Sequence, residues 1–398
     1  MRACVLDQIA RIVPPGPWAE RLGMVGSSLE LRRAWPRSGG HLLLEYADAQ
    51  SRTVAGQWRA DVQDLDRSLD RTMAACPDSA CLIVPPAGVE GGKGGVGGVM
   101  LQPGGADRVL GALHRLASDR HSTLIVHRPE RRGVVRTRSS GTVVYAKVVR
   151  SERLGGVCQR ARSVEGRRDL GFQTPRVLHV DQSAGSITFE ELGGPSLHES
   201  LGASLASRVM PDVGRALRRL HGAPMDDGSA VHDAAAEVAL LERSVRLIDE
   251  LGWSGASEAR ARCESACDRL AAGAIGHAPL HRDFYDKQVI IHPAGGLGLL
   301  DFDTMAVGEP ALDVANMLAH LELRHLQGLL DRSSLAAAVE GFVAGYAPGA
   351  DLLERLGAYL DSTRVRLACV YALRPRWSAM AASLPAQDLV ESIMGLSR

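Results

Sequence analysis

The stretch HRDFYDKQVIIHPAGGLGLLDFD, running from His281 to Asp303, decides how this chain is read. It opens on a charged cluster, His281-Arg282-Asp283, and an amide, Gln288, follows five residues after the aspartate. Next come an apolar run, Val289-Ile290-Ile291, a glycine-bearing turn and a second apolar run, Leu297 to Leu300, which delivers Asp301-Phe302-Asp303. Two short apolar runs flanking a Gly/Pro turn predict a β-hairpin. One carboxylate then stands at its entrance and others at its exit, so that Asp283, Gln288 and Asp301 come near one another. Phosphoryl transfer uses a trio of this kind. One carboxylate orients the hydroxyl and takes its proton, while an amide and a second carboxylate hold Mg2+ on the nucleotide phosphates.

These residues resemble the catalytic core of the aminoglycoside phosphotransferase and choline kinase superfamily, the small-molecule relatives of protein kinases. The pattern there is H-x-D-x-x-x-x-N, two strands, then D-F or D-W. His281, Asp283, Gln288, Asp301 and Phe302 stand at its spacings, and the following GEPALDVANMLAH is similar to the family's next segment. The resemblance implies an α+β, protein-kinase-like two-lobed fold with a β-rich N-lobe and a mainly helical C-lobe. It also implies an ATP-dependent phosphotransferase that moves the γ-phosphate to a hydroxyl of a small molecule: an antibiotic, a sugar or a natural-product intermediate. By the same resemblance Asp283 serves the acceptor hydroxyl, Gln288 and Asp301 hold Mg2+, and His281 and Asp313 support the catalytic loop. The nucleotide is ATP or GTP. The resemblance spans residues 106–398 and is strongest over 281–320; the one departure is Gln288, where the family has Asn.

Composition sets the bounds. A chain of 398 residues suffices for two or three lobes. Lys plus Arg and Asp plus Glu each number 46, and this zero net charge argues against a nucleic-acid binder or a polybasic membrane protein. Aromatic residues are only 4 %, so stacking platforms for bases or sugars are expected to be few. The seven cysteines form no CxxC pair, no secretory signal is visible at the start, and no apolar run is long enough to span a bilayer. A reduced, cytoplasmic setting is the expectation, with no zinc site.

Residues 1–105 read as an extra N-terminal α+β module, with a short helix over Val5–Val13, strands over His41–Tyr46, Arg52–Arg59 and Cys81–Val84, and a helix over Ala60–Ala74. The run GGKGGVGG, Gly91 to Gly98, echoes a phosphate-binding loop but lacks the Lys-Ser/Thr that such a loop needs, so it reads as a flexible loop. Residues 106–192 read as the N-lobe. A helix over Ala106–Leu116 precedes strands over Thr123–His127, Gly133–Arg136 and Thr142–Val149. The third carries Lys147, which by the resemblance grips the nucleotide phosphates. The first turn, RPERRG, is a poor glycine-rich loop, and Arg131, Arg132 or backbone N–H groups are candidates to replace it. A helix over Glu152–Leu170 follows, with Glu165, and after it Glu152, as the partner for Lys147. The hinge reads as ITFEELGGPSL, where the backbone of Glu190, Glu191 and Leu192 contacts adenine. Residues 193–398 form the helical C-lobe around the catalytic hairpin, with Asp286, Glu309, Glu322, Arg374 and Arg376 as candidate acceptor-pocket residues.

Three other readings stay open at this point. One is a sugar kinase resembling maltokinase, which also carries an extra N-terminal module. Another is a Ser/Thr kinase of a peptide precursor. The third is a nucleotide-binding pseudokinase or assembly partner, favoured by Gln288 alone and opposed by Lys147, Asp283 and Asp301. The expected partners are a nucleotide and a small-molecule hydroxyl acceptor, with no nucleic acid and no membrane; a homodimer or a pathway protein partner is left open.

Overall fold

The computed structural model describes residues 29–37, 41–48, 50–84, 97–139, 141–201, 203–224 and 229–396. The helix expected at Val5–Val13 and the glycine run as far as residue 96 lie outside them. The chain divides into two compact units.

The first unit holds the described residues up to Cys158, together with Val177–Glu191 and Leu373–Ser378. It contains two five-stranded sheets. The first sheet is built from β1 (Glu30–Arg37), β2 (His41–Ala47), β3 (Thr53–Arg59), β4 (Leu82–Val84) and β5 (Gly98–Gln102), in the order β1-β2-β3-β5-β4. Helix α1 (Val62–Ala75) starts where Asp61 accepts the Gln63 N–H at 2.8 Å. Two of these strands, β1 and β5, had no signal in the sequence reading. Only Gly98 of β5 falls in the expected glycine loop and Val99 to Gln102 carry no expected element, yet all five residues are buried between β3 and β4. Ala34 of β1 donates its N–H to the Leu373 carbonyl at 2.8 Å, tying the late segment into the same unit.

The second sheet is an antiparallel meander with a late addition. It consists of β6 (Ser122–Arg128), β7 (Arg132–Ser139), β8 (Thr142–Val149), β9 (Val177–Asp181) and β10 (Ser186–Glu190), in the order β6-β7-β8-β10-β9. Helix α2 is shorter than expected, spanning Gly111–Ala117, and buries Leu113 against Val135 and Val148. Helix α3 (Ser151–Val164) packs Leu154, Val157 and Cys158 on Val149 and Ile187. It ends six residues before the expected Leu170, because the chain turns at Gly166 with φ 70°.

The second unit comprises Gln159–Arg176, Leu192–Ala372 and Ala379–Arg398. Its helices are α4 (Ala203–His221), α5 (Ala234–Glu250), α6 (Ala256–Ala271), α7 (Ala311–Leu326), α8 (Arg332–Tyr346), α9 (Ala350–Ala372), and the short α10 (Ser378–Ala381, which begins in the first unit) and α11 (Leu389–Met394). Helices α4 and α8 cross backbone to backbone, since a Cβ on Gly345 would lie 2.0 Å from the Pro211 carbonyl and one on Gly214 2.2 Å from that of Phe342. Two ribbons sit among the helices: β11 (Ala278–Leu280) with β14 (Ala306–Gly308), and β12 (Val289–Ile291) with β13 (Leu297–Leu299). The fold class is α+β: a protein-kinase-like two-lobed fold with an extra N-terminal module. Among the described residues no helix is long and apolar enough to cross a membrane.

Candidate active site

The order of ribbons in the chain makes the site. The loop His281–Gln288 runs from β11 into β12, and β13 hands the chain to Asp301 before β14 returns it beside β11. The hairpin thus brackets the loop as the sequence predicted, and a second ribbon, missed in the sequence, closes its base. Entrance and exit are bonded to each other. His281 donates from Nε2 to the Leu300 carbonyl at 2.8 Å, the Leu300 N–H donates to the Gln288 carbonyl at 2.9 Å, and Thr304 Oγ1 donates to the His281 carbonyl at 3.1 Å. His281 is fully buried, with its ring 4.8 Å from that of Phe302 and 5.9 Å from that of Phe284. The aromatic residues of HRDF and LDFD therefore form the apolar bed on which the polar loop lies.

Arg282 in the loop, at φ 67°, and Asp301 after β13, at φ 60°, hold left-handed backbone. Such conformations cost about 1–3 kcal/mol each and persist where the surroundings over-determine them. For Arg282 the restraint is visible. Asp313, fully buried on the first turn of α7, accepts the His281 N–H at 2.6 Å on Oδ2 and the Arg282 N–H at 2.7 Å on Oδ1. Asn316, one helical step further on, donates Nδ2 to the Arg282 carbonyl at 3.0 Å and accepts from Arg366. His221, the last residue of α4, reaches Asp313 Oδ2 with Nε2 at 3.2 Å, and its Nδ1 meets the Tyr346 hydroxyl at 2.8 Å.

Gln288 is buried and donates Nε2 to Asp283 Oδ2 at 3.3 Å. The amide and the first carboxylate of the trio are therefore in contact, while Asp283 and Asp301 stay half-buried. With its nitrogen committed to Asp283, the Gln288 amide keeps Oε1 as its acceptor. An amide oxygen and a carboxylate such as that of Asp301 are both hard oxygen donors, the chemistry that suits Mg2+; among the described residues no group of three His, Cys, Asp or Glu that could hold a metal ion is present.

The remaining site candidates are distributed as follows. Lys147 is buried on β8 opposite Val134 and Ile187, in the first unit. Glu165 was expected on a helix; it follows the last residue of α3 and belongs to the second unit. The only carboxylate on α3 is Glu152, an exposed side chain 3.8 Å from Arg150. Glu190 ends β10, and Glu191 accepts from the Tyr145 hydroxyl at 3.3 Å and pairs with Arg136 at 3.5 Å. The chain passes between the units at Glu191 and Leu192. Two residues later Gly194 has φ 120°, and a Cβ there would lie 2.1 Å from the Ile291 carbonyl, so only glycine fits this approach to the hairpin.

Three supposed pocket acids are instead core ion pairs. Arg324 grips Asp286 at 2.8 and 3.0 Å, Arg355 grips Glu309 at 2.8 and 3.1 Å, and Arg364 grips Glu322 at 2.7 and 3.1 Å. All three acids are buried. Asp286 also takes His198 Nδ1 at 2.6 Å; burial pushes its carboxyl up, but His198 and Arg324 outweigh that and hold it well below the usual carboxylate range. Arg376, expected at the pocket, lies against Trp377 with 4.8 Å to the ring centroid, and both it and Arg374 belong to the first unit.

Residues 166–358 match the sequence model of the phosphotransferase enzyme family. No curated protein matches the chain by sequence. Among solved structures, the amicoumacin kinase hAmiN is 14 % identical with a TM-score of 0.51, the match covering 70 % of this chain and 91 % of that one. The aminoglycoside phosphotransferase APH(3'')-Id of Streptomyces rimosus is 22 % identical over 59 % of this chain and 90 % of its own, with a TM-score of 0.45. A choline/ethanolamine kinase family protein of Mesorhizobium loti is 14 % identical over 70 % and 90 %, with a TM-score of 0.47. Over residues 166–358, just under half of its length, this chain thus matches the phosphotransferase enzyme family, and its fold is similar to that of the amicoumacin kinase.

Proposed function

We propose that this chain transfers the γ-phosphoryl group of ATP or GTP to a hydroxyl of a small molecule, with Asp283 as the group that serves the hydroxyl. The acceptor oxygen bonds to the γ-phosphorus, the bond from that phosphorus to the β,γ-bridging oxygen breaks, and the nucleoside diphosphate leaves. The hydroxyl proton passes late to Asp283. Gln288 and Asp301 are the residues that would hold Mg2+, which when bound neutralises charge on the phosphates. Lys147 is the cation assigned to the phosphates, and the backbone of Glu190 to Leu192 is assigned to the base. Rate enhancement comes from positioning and charge neutralisation, as the loose transition state of phosphoryl transfer requires.

One observation carries this reading: a half-buried carboxylate, Asp283, hydrogen-bonded to Gln288 on a loop whose preceding residues are pinned by Asp313. A loop that merely capped a hairpin would not need a buried carboxylate behind it. The family match over residues 166–358 supports the reaction class, and the acceptor we assign to it is an antibiotic, a sugar or a natural-product intermediate. The test is nucleoside diphosphate release with Asp283→Asn across a panel of hydroxyl acceptors. Turnover is expected to fall by about 10²–10⁴ with nucleotide affinity little changed. Near-wild-type turnover in Asp283→Asn sinks the assignment.

A further inference from the structure

The turn Arg128-Pro129-Glu130-Arg131 between β6 and β7 has no part in the chemistry above. The Arg131 N–H donates to the Arg128 carbonyl at 3.0 Å, and the third position, Glu130, has φ 56°. A turn with proline second and positive φ third ordinarily takes glycine there. Glu130 is held in place by four groups instead. Its N–H donates to Asp107 Oδ2 at 2.7 Å, its carbonyl accepts from Arg150 Nε at 2.5 Å, and its carboxylate accepts from Arg108 Nε at 2.7 Å and lies 3.9 Å from Arg37. The Arg150 guanidinium is also 3.9 Å from that carboxylate.

The Glu130 carboxylate therefore serves Arg37, Arg108 and Arg150, the last of which also lies 3.8 Å from the exposed Glu152. Arg131, next in the turn, and Arg153, at the start of α3 beside Arg150, have no carboxylate partner among the described residues. Arg33 and Arg128 both lie over the Trp35 ring, 4.9 Å from its centroid, and Arg128 Nε is buried without a hydrogen-bond partner among the described residues. The cations feel each other. Burial, then Arg131, Arg132, Arg37 and Arg33, push the Arg128 guanidinium down to about 9. Burial, then Arg37, Arg153, Arg150 and Arg132, lower that of Arg131.

We propose that this cluster is an anion site for a multiply phosphorylated ligand, with Arg131 and Arg153 as its contacts and Arg37, from the N-terminal sheet, and Arg150 at its rim. A half-buried guanidinium without counter-charge, such as that of Arg131, is costly, and an incoming anion removes that cost. The planar fork of arginine matches phosphate oxygens in pairs. More cations than carboxylates in the cluster favour a ligand carrying several charges over a single carboxylate. The phosphate chain of the nucleotide and a separate phosphorylated molecule offer the same chemistry.

The test uses the full chain, inorganic tripolyphosphate and calorimetry at low salt. The wild type is expected to bind, with affinity falling as salt is raised. Arg131→Ala and Arg153→Ala are each expected to weaken binding by about tenfold to a hundredfold. Arg153 is exposed on the helix surface, so its variant keeps the test valid should Arg131→Ala misfold. Repeating the titration with saturating AMP-PNP and Mg2+ separates the sources: retained binding identifies a separate phosphorylated ligand and supports the site, whereas lost binding places the anion at the nucleotide's own phosphates and overturns it. Asp283→Asn is expected to bind tripolyphosphate as wild type does, which keeps this site's failure distinct from that of the catalytic reading. Absence of binding to the wild type at low salt, or equal binding by the wild type and Arg153→Ala, overturns the proposal.

Discussion

Asp313→Asn changes one atom and places it where three donors converge. Oδ2 of the native carboxylate receives the His281 N–H at 2.6 Å and His221 Nε2 at 3.2 Å, and Oδ1 receives the Arg282 N–H at 2.7 Å. Asparagine has one oxygen. Turned toward the pair of donors, it sets its NH2 against the Arg282 N–H; turned the other way, against the His281 N–H and His221. Either way a buried donor faces a donor. The lost charge-assisted bond is worth about 1.5–3 kcal/mol, and the bonds that remain lose the charge that roughly doubled their strength. With Arg282 at φ 67° no longer restrained from behind, the total comes to about 3–5 kcal/mol, the range for breaking a buried charged contact. That is a large fraction of a domain's stability, so the variant folds marginally or keeps its fold by letting the loop relax. Relaxation moves Asp283, and a displacement of about 1 Å costs about a hundredfold in rate. Urea unfolding read alongside nucleoside diphosphate release measures both. Asp313→Asn with an unchanged urea midpoint and wild-type turnover would refute the account of how the loop is held.

Gln288→Ala is expected to raise the Mg2+ requirement, and Gln288→Asn to stay within about tenfold of wild-type activity, about 1.4 kcal/mol in barrier; superimposable Mg2+ curves for wild type and Gln288→Ala remove Gln288 from the metal site. Arg324→Met strands the buried Asp286 and is expected to cost about 3–5 kcal/mol in urea unfolding, whereas a loss under about 1 kcal/mol means that the pair is solvated. Because the folded-state pKa of Asp286 is depressed, its ionised form contributes stability above its unfolded value of about 3.9, and this is lost as pH falls below that value toward the folded one. Asp286→Asn therefore has a shallower acid dependence of its urea midpoint below about pH 4, and parallel curves for the two proteins contradict the pairing. Gly345→Ala puts a methyl group into the Pro211 carbonyl and is expected to cost about 1–3 kcal/mol; a neutral result means that α4 and α8 separate freely.

The parts of the molecule legible in the sequence are those where local pattern and tertiary role coincide. The runs Val289–Ile291 and Leu297–Leu299 are strands flanked by polar loops, and their length, composition and turn announce them. The strand Thr142–Val149 was legible to the residue for the same reason. β5 was not, because its glycine and the Pro103-Gly104-Gly105 turn after it look like a loop; what makes it a strand is burial on both sides by β3 and β4. Around the loop, Asp313 was readable from GEPALD. Asn316 follows it at i+3 on the same helix face, a spacing that carries the same signal. His221 had none. It lies 92 residues from Asp313 in sequence, and nothing in VGRALRRLH distinguishes its last residue from a helix-terminal charge.

The buried acids show why charged residues are hard to place from sequence alone. Asp286, Glu309 and Glu322 are a loop residue and two residues at or in a helix, and any of them could face a pocket or solvent with the same local sequence. Each is instead paired in its core with an arginine that is remote in sequence, and an isolated buried carboxylate would be intolerable there. The pairs therefore specify which element meets which: Arg324 of α7 reaches Asp286 in the loop His281–Gln288, Arg355 of α9 reaches Glu309, and Arg364 of α9 reaches Glu322 of α7. A hydrophobic substitute of similar volume at both members of such a pair can be as stable, so what the charges add is register. For the site this matters most at Asp286. It lies between Asp283 and Gln288, and anchoring it to α7 through Arg324 fixes the middle of the loop, just as Asp313 fixes its start. Gln288 then has little freedom to retreat, and its longer stem must be accommodated by the side chain rather than by the backbone. That confinement is the physical reason to expect the Gln288 amide, already bonded to Asp283, to do the work that asparagine does in the family pattern.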